Sequence, residues 1–93
     1  MGFCTLLEWD DAFDMDRYQA MVERSGGHEH LPEGCLSRIV GAVDAGARVI
    51  EVWRGPDDAR LFSERYSHLL AEFKMPTPTR SSAFETTIYE VLR

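Results

Sequence analysis

Residues 35–53 read C-L-S-R-I-V-G-A-V-D-A-G-A-R-V-I-E-V-W. Two runs rich in β-branched residues, 35–43 and 47–53, flank Asp44-Ala45-Gly46, the pattern of two antiparallel strands joined by a short loop. Gly46 is expected at the loop position that needs φ > 0, because glycine reaches that region without steric cost. Arg38 and Glu51 interrupt these otherwise apolar runs, and the hairpin makes them neighbours. Charged residues in central strands either pair across the strands or face a cavity.

Downstream, Gly55-Pro56-Asp57-Asp58 reads as a helix start, with proline at the first helical position and carboxylates in the first turn, where the helix dipole favours them. Ala59, Phe62, Tyr66, Leu69, Leu70 and Phe73 then line one face of a helix ending near Lys74, and Met75-Pro76-Thr77-Pro78 cannot continue it. Residues 84–92, F-E-T-T-I-Y-E-V-L, read as the last strand. Upstream, residues 3–9 form a strand that is apolar on both faces, with Phe3, Leu7 and Trp9 against Cys4 and Leu6. Asp14 reads as the N-cap of a helix carrying Tyr18, Met21 and Val22, stopped by Ser25-Gly26-Gly27, and residues 28–34 form a loop.

The order β-α-β-β-α-β is the split βαβ, or ferredoxin-like, arrangement: an α+β fold with a four-stranded antiparallel sheet and two helices on one face. Two helices cover only one face of such a sheet. The other face keeps large apolar side chains, so the chain is expected to form a homodimer through its open sheet face.

Ninety-three residues make one domain, spanning 1–93, with a thin core. A net charge of −6 without a basic cluster repels phosphate backbones, so nucleic acid and anionic membrane surfaces are not expected partners. No apolar run approaches the ~20 residues that span a bilayer, and a cytoplasmic protein is expected. Lys74 is the only lysine among ten basic residues and asparagine is absent, a bias that fits a GC-rich bacterial coding sequence. Cys4 and Cys35 fit neither a redox pair nor a zinc knuckle and are expected to act as small buried hydrophobes.

Three histidines are the candidates for proton transfer near neutral pH: His28, His30 and His68. His28-Glu29-His30 could place two imidazoles on one side of a loop, but only Glu29, Glu33 or Cys35 lies nearby as a further ligand, so no metal site is expected. On a continuous helix His68 falls roughly 150° from the apolar stripe, towards solvent. Arg38 either pairs with Glu51 or receives a substrate carboxylate or enolate in its planar fork. Trp9, Trp53, Phe62 and Tyr66 are core by composition and could also wall an apolar slot between sheet and helices.

The element order, the length, and the segment Gly46-Ala47-Arg48-Val49-Ile50-Glu51-Val52-Trp53 followed by a Pro-Asp-Asp helix start resemble the dimeric α+β barrel superfamily over nearly the whole chain. That superfamily includes cofactor-free monooxygenases of antibiotic biosynthesis, polyketide cyclases, haem-degrading enzymes and stress-induced proteins. Glu51-Val52-Trp53 is similar to the E-x-W of the monooxygenase branch; the histidine often found nine residues later is Phe62 here, and the asparagine some members use has no counterpart. In the cyclase branch a catalytic histidine follows an aromatic residue by six positions, which corresponds to Phe62 and His68. The substrate-orienting tyrosine hydroxyl of that branch then passes to Tyr66 or Tyr18, and its helix-breaking proline is missing. Haem degraders use an axial histidine late in the second helix; His68 lies several residues short of that offset, and no cofactor is expected.

The leading expectation is an enzyme of secondary metabolism that cyclises or isomerises a small aromatic or polyketide-like substrate, with a histidine moving the proton and Arg38 or a tyrosine steadying the enolate. The first alternative is a cofactor-independent monooxygenase in which the substrate carbanion reduces oxygen and Trp53 shapes the pocket. The second is a non-catalytic ligand-binding or dimerisation module.

Overall fold

The hairpin forms with a two-residue turn. In the computed structural model, which describes residues 2–24 and 31–90, Val43 pairs with Gly46 and leaves Asp44 and Ala45 between them. The left-handed residue is Asp44, at φ 50°, and Gly46 takes an ordinary strand conformation. Aspartate tolerates that region because its short side chain can bond locally. Gly46 is required for another reason: a Cβ there would collide with the backbone carbonyl of Trp9 on the neighbouring strand.

The elements follow in the order β1 (Phe3–Trp9), α1 (Met15–Arg24), β2 (Cys35–Val43), β3 (Gly46–Trp53), α2 (Pro56–Glu72) and β4 (Arg80–Glu85). The four strands make one antiparallel sheet ordered β2-β3-β1-β4, the ferredoxin-like topology. β1 lies in the middle, which explains why both of its faces are apolar. It pairs Thr5 with Glu51 and Leu7 with Val49 on one side, and Leu7 with Ser81 on the other.

The last strand lies earlier than the apolar pattern of 84–92 suggests. β1 sets its length: pairing runs from Glu8–Arg80 to Phe3–Glu85, and one further bond, from the Thr86 N–H to the Gly2 carbonyl at 2.9 Å, ends it. Among the described residues no pairing to β1 follows Thr86, and Ile88 is 74% exposed. β4 is an edge strand exposed along its whole length, so polar Arg80, Ser81 and Ser82 suit it. Val91 and Leu92, the end of the expected strand, lie outside the described residues.

Both helices pack on one sheet face. The Asp14 carboxylate accepts the Arg17 backbone N–H at 3.1 Å and caps α1, which buries Tyr18, Met21 and Val22. Gly55 precedes Pro56 at the start of α2, which buries Ala59, Tyr66 and Leu70 and ends before Lys74 in the left-handed region at φ 55°. These side chains meet Trp9, Val49 and Met75 in one core. Alternation along the strands sends Leu6, Ile39, Ile50 and Phe84 to the helix-free face, where Ile39 is 63% and Phe84 53% exposed. Cys4 is buried and Cys35 half-buried, both as free thiols, and burial pushes Cys35 up to about 11, so it holds its proton at neutral pH. Among the described residues no helix is long and apolar enough to cross a membrane.

Candidate functional site

A cavity of about 290 Å³ opens between the sheet and α2. Its sheet side is built from Thr5, Leu7, Glu51, Trp53 and Ser81, all pointing to the helix-covered face. Its helix side is built from Ala59, Phe62, Ser63, Tyr66, Ser67 and Leu70, and Thr77 and Pro78 of the following linker close one end. Ala59, Ser63 and Ser67 recur every four residues, so a stripe of small side chains runs beside the large ones and leaves the room the cavity fills.

Three of the aromatic residues expected around a slot meet there. Trp53 and Phe62 have ring centroids 5.2 Å apart, and Phe62 and Tyr66 are also 5.2 Å apart in an edge-on arrangement. The Trp53 indole N–H donates to Thr5 Oγ1 at 3.2 Å, which fixes the ring in the wall. Trp9 and Tyr18 lie deeper, in the core. The Trp9 indole N–H donates to the Pro76 carbonyl at 2.8 Å, tying the linker after α2 to β1, and neither residue lines the cavity.

Glu51 supplies the carboxyl group of the wall. It is only 2% exposed, and one of its carboxylate oxygens, Oε2, accepts both Arg38 Nε and Arg38 Nη2 at 2.8 Å. Burial raises the Glu51 carboxyl above its ordinary value, outweighing the lowering pull of the Arg38 guanidinium and the Thr5 hydroxyl. The Arg38 guanidinium also stands over the Phe62 ring, 5.7 Å from its centroid. Its fork is thus taken up by Glu51 and Phe62 and does not line the cavity, so the pairing across the hairpin is what the structure shows, and reception of a substrate anion is not.

The Tyr18 and Tyr66 hydroxyls are both buried, and among the described residues neither has a hydrogen-bond partner. They lie near enough to act on each other's ionisation without the geometry of a bond, and burial raises both phenols above their usual range.

His68 lies on the exposed side of α2 and does not line the cavity, as its angular distance from the apolar stripe implies. His28 and His30 lie outside the described residues. Among the described residues no cluster of three or more histidine, cysteine, aspartate or glutamate side chains is placed to hold a metal ion. Thr5, Ser63, Ser67, Thr77 and Ser81 are wall residues that sequence reasoning passed over; only the four-residue spacing of Ala59, Ser63 and Ser67 signals any of them.

No protein-family profile matches the chain, and no curated protein matches it. Solved structures do. A protein of Chloroflexus aurantiacus J-10-fl, provisionally named an antibiotic biosynthesis monooxygenase, superposes with a TM-score of 0.70 at 12% identity, covering 98% of each chain. A monooxygenase of Streptomyces coelicolor, solved in complex with Nanaomycin D, superposes with a TM-score of 0.58 at 14% identity, covering 99% of this chain and 93% of the other. The chain therefore shares the ferredoxin-like α+β fold of antibiotic biosynthesis monooxygenase-type proteins.

Proposed function

We propose that this protein is a small-molecule monooxygenase that acts on a compact, oxygen-bearing aromatic substrate held in the cavity between the sheet and α2. The observation that carries the reading is a buried carboxylate, Glu51, in a wall otherwise made largely of Trp53, Phe62, Tyr66, Leu7 and Leu70. Aromatic walls suit a flat ring system, and a carboxylate whose affinity for protons is raised by burial suits a general base. The two monooxygenase-type fold neighbours support the reaction class.

In this mechanism Glu51 takes a proton from the activated CH₂ of an anthrone-like substrate. The resulting carbanion gives its electrons to dioxygen. One oxygen atom ends in the new C=O and the other leaves as water with both hydrogens of the CH₂, so substrate and dioxygen together supply every atom and electron. Arg38 holds Glu51 in place, and Thr5 holds Trp53 against the ring plane. Cyclisation by His68 would place its proton carrier on the exposed side of α2, away from these walls.

Oxygen uptake with anthrone tests the reading directly. Glu51→Gln, which keeps an oxygen for Arg38 but accepts no proton, is expected to lower kcat by about 10²–10³-fold. The wild-type rate rises with pH as Glu51 ionises, on a limb lying above the ordinary carboxylate range, and Glu51→Gln abolishes that limb. Product forming at an unchanged rate without oxygen would instead establish closure or isomerisation. Tight binding without turnover would establish a binding module.

The same reading includes a working homodimer formed by the helix-free sheet face. Leu6, Ile39, Ile50 and Phe84 are rimmed there by Glu8, Arg48 and Arg80, with both arginines pairing to Glu8. A patch carrying both signs of charge around an apolar centre is self-complementary, as a two-fold contact requires. Ile39→Glu is expected to shift the mass in solution from dimer to monomer, measured by light scattering; a wild-type monomer at micromolar concentration would refute the contact.

A further inference from the structure

We propose that Phe62 is the specificity-determining wall of this site and limits the substrate to a compact ring system. The inference rests on the cavity reading above and names what that cavity accepts. Phe62 borders two spaces: the cavity of about 290 Å³, and a second hollow of about 410 Å³ that it lines together with Pro32, Asp58, Leu61 and Arg65 among others. The first alone sits at the lower edge of the sizes ligand sites take, and the two joined, on the order of 700 Å³, would lie well inside that range.

Phe62 is held from three directions. Trp53 lies against one side of its ring, Tyr66 meets it edge-on, and the Arg38 guanidinium stands over it, itself anchored by Glu51. A side chain packed in this way is a fixed partition, because swinging it aside would break an aromatic pair on each side and uncover a buried ion pair. A substrate substituent that extends past the ring plane therefore meets Phe62 and not the second hollow. Removing the ring leaves a gap between Trp53 and Tyr66 of the size and character of a phenyl group, and joins the two spaces.

Two phenols with the same head group test this: 2-naphthol and 6-phenyl-2-naphthol, with dissociation constants measured by fluorescence titration. Wild type is expected to bind 2-naphthol at least tenfold more tightly than its phenyl derivative, although the derivative is the more apolar molecule. Phe62→Ala is expected to bind 6-phenyl-2-naphthol at least tenfold more tightly than wild type does, because the added ring takes the place of the one removed. Phe62→Trp keeps the partition and is expected to retain the wild-type preference. Phe62→Leu, a milder change for the core, is expected to relieve the discrimination at least threefold and serves if the alanine variant does not fold. Equal binding of both phenols by wild type, or an unchanged ratio in a folded Phe62→Ala or Phe62→Leu protein, would overturn the proposal. Failure of both phenols to bind every one of these proteins would overturn it together with the cavity reading. Absent oxygen uptake with an intact change in ratio would leave the wall standing and remove only the monooxygenase chemistry.

Discussion

Gly46→Ala is expected to lower the melting temperature by about 12–24 °C, the equivalent of a loss near 3 kcal/mol in a domain of this size. The added methyl group would overlap the carbonyl of Trp9, with the backbone of Asp10 close behind it. These are backbone atoms of the paired strand, with no rotamer to turn away, so β1 and β3 must separate at the end that carries the Trp9–Ala47 pair. Trp9 is among the largest fully buried side chains, and its displacement would loosen the core and release its hold on Pro76. Gly41→Ala is the control. A Cβ at Gly41 in β2 meets nothing within 4 Å, so that change is expected to be neutral or to stabilise by about 0.5 kcal/mol through the unfolded chain. Thermal melts followed by circular dichroism separate the two, and a Gly46→Ala protein melting within a few degrees of wild type would refute the argument.

Arg38→Met is the second large effect. It strands the Glu51 carboxylate in a site where its side chain is 3% exposed, and removing one partner of a buried ion pair costs about 3–5 kcal/mol. The double variant Arg38→Met/Glu51→Leu is expected to recover most of that loss, because the desolvation cost of both charges disappears with them. The pH dependence has a definite sign. Burial already raises the Glu51 carboxyl, and without Arg38 it rises further. The folded state then holds its proton more tightly than the unfolded state. The deficit is largest at neutral pH and shrinks as pH falls through the folded value towards the ordinary carboxylate range. Urea titrations at two pH values check both points. A single variant costing less than 1 kcal/mol, or a double variant no better than the single, would show that the pair is not the energetic centre of the hairpin.

The hairpin was legible because its two apolar runs meet at a short polar turn, and their spacing leaves no other pairing. Gly46 is a necessary glycine for a reason the turn pattern does not carry. The chain's own pattern shows a turn, but a collision with Trp9, 37 positions earlier in the same sequence, is a tertiary fact. β4 departs from the apolar pattern for a related reason. Apolar alternation marks strands that bury a face, and this edge strand buries none, so its polar residues read as a linker and the apolar residues after it read as the strand. Within the site, Trp53, Phe62 and Tyr66 were legible from bulk and spacing. Glu51 was visible only as an interruption of an apolar strand; its place in a cavity wall depends on Thr5 and α2 arriving from distant parts of the chain. The threonine and serine wall residues carry no chemistry that marks them in advance, since small hydroxyl side chains are common on any exposed helix or edge.

The two indoles, Trp9 and Trp53, are each only 1% exposed, yet one lies in the core and the other in the cavity wall. The protein therefore carries a built-in optical reporter with its own internal reference. A ligand stacking on Trp53 quenches that emission and leaves the Trp9 signal, fixed by its bond to Pro76, as the constant background. In a Trp9→Phe protein the emission comes from the cavity wall alone, and occupancy of the site can be followed without any added label.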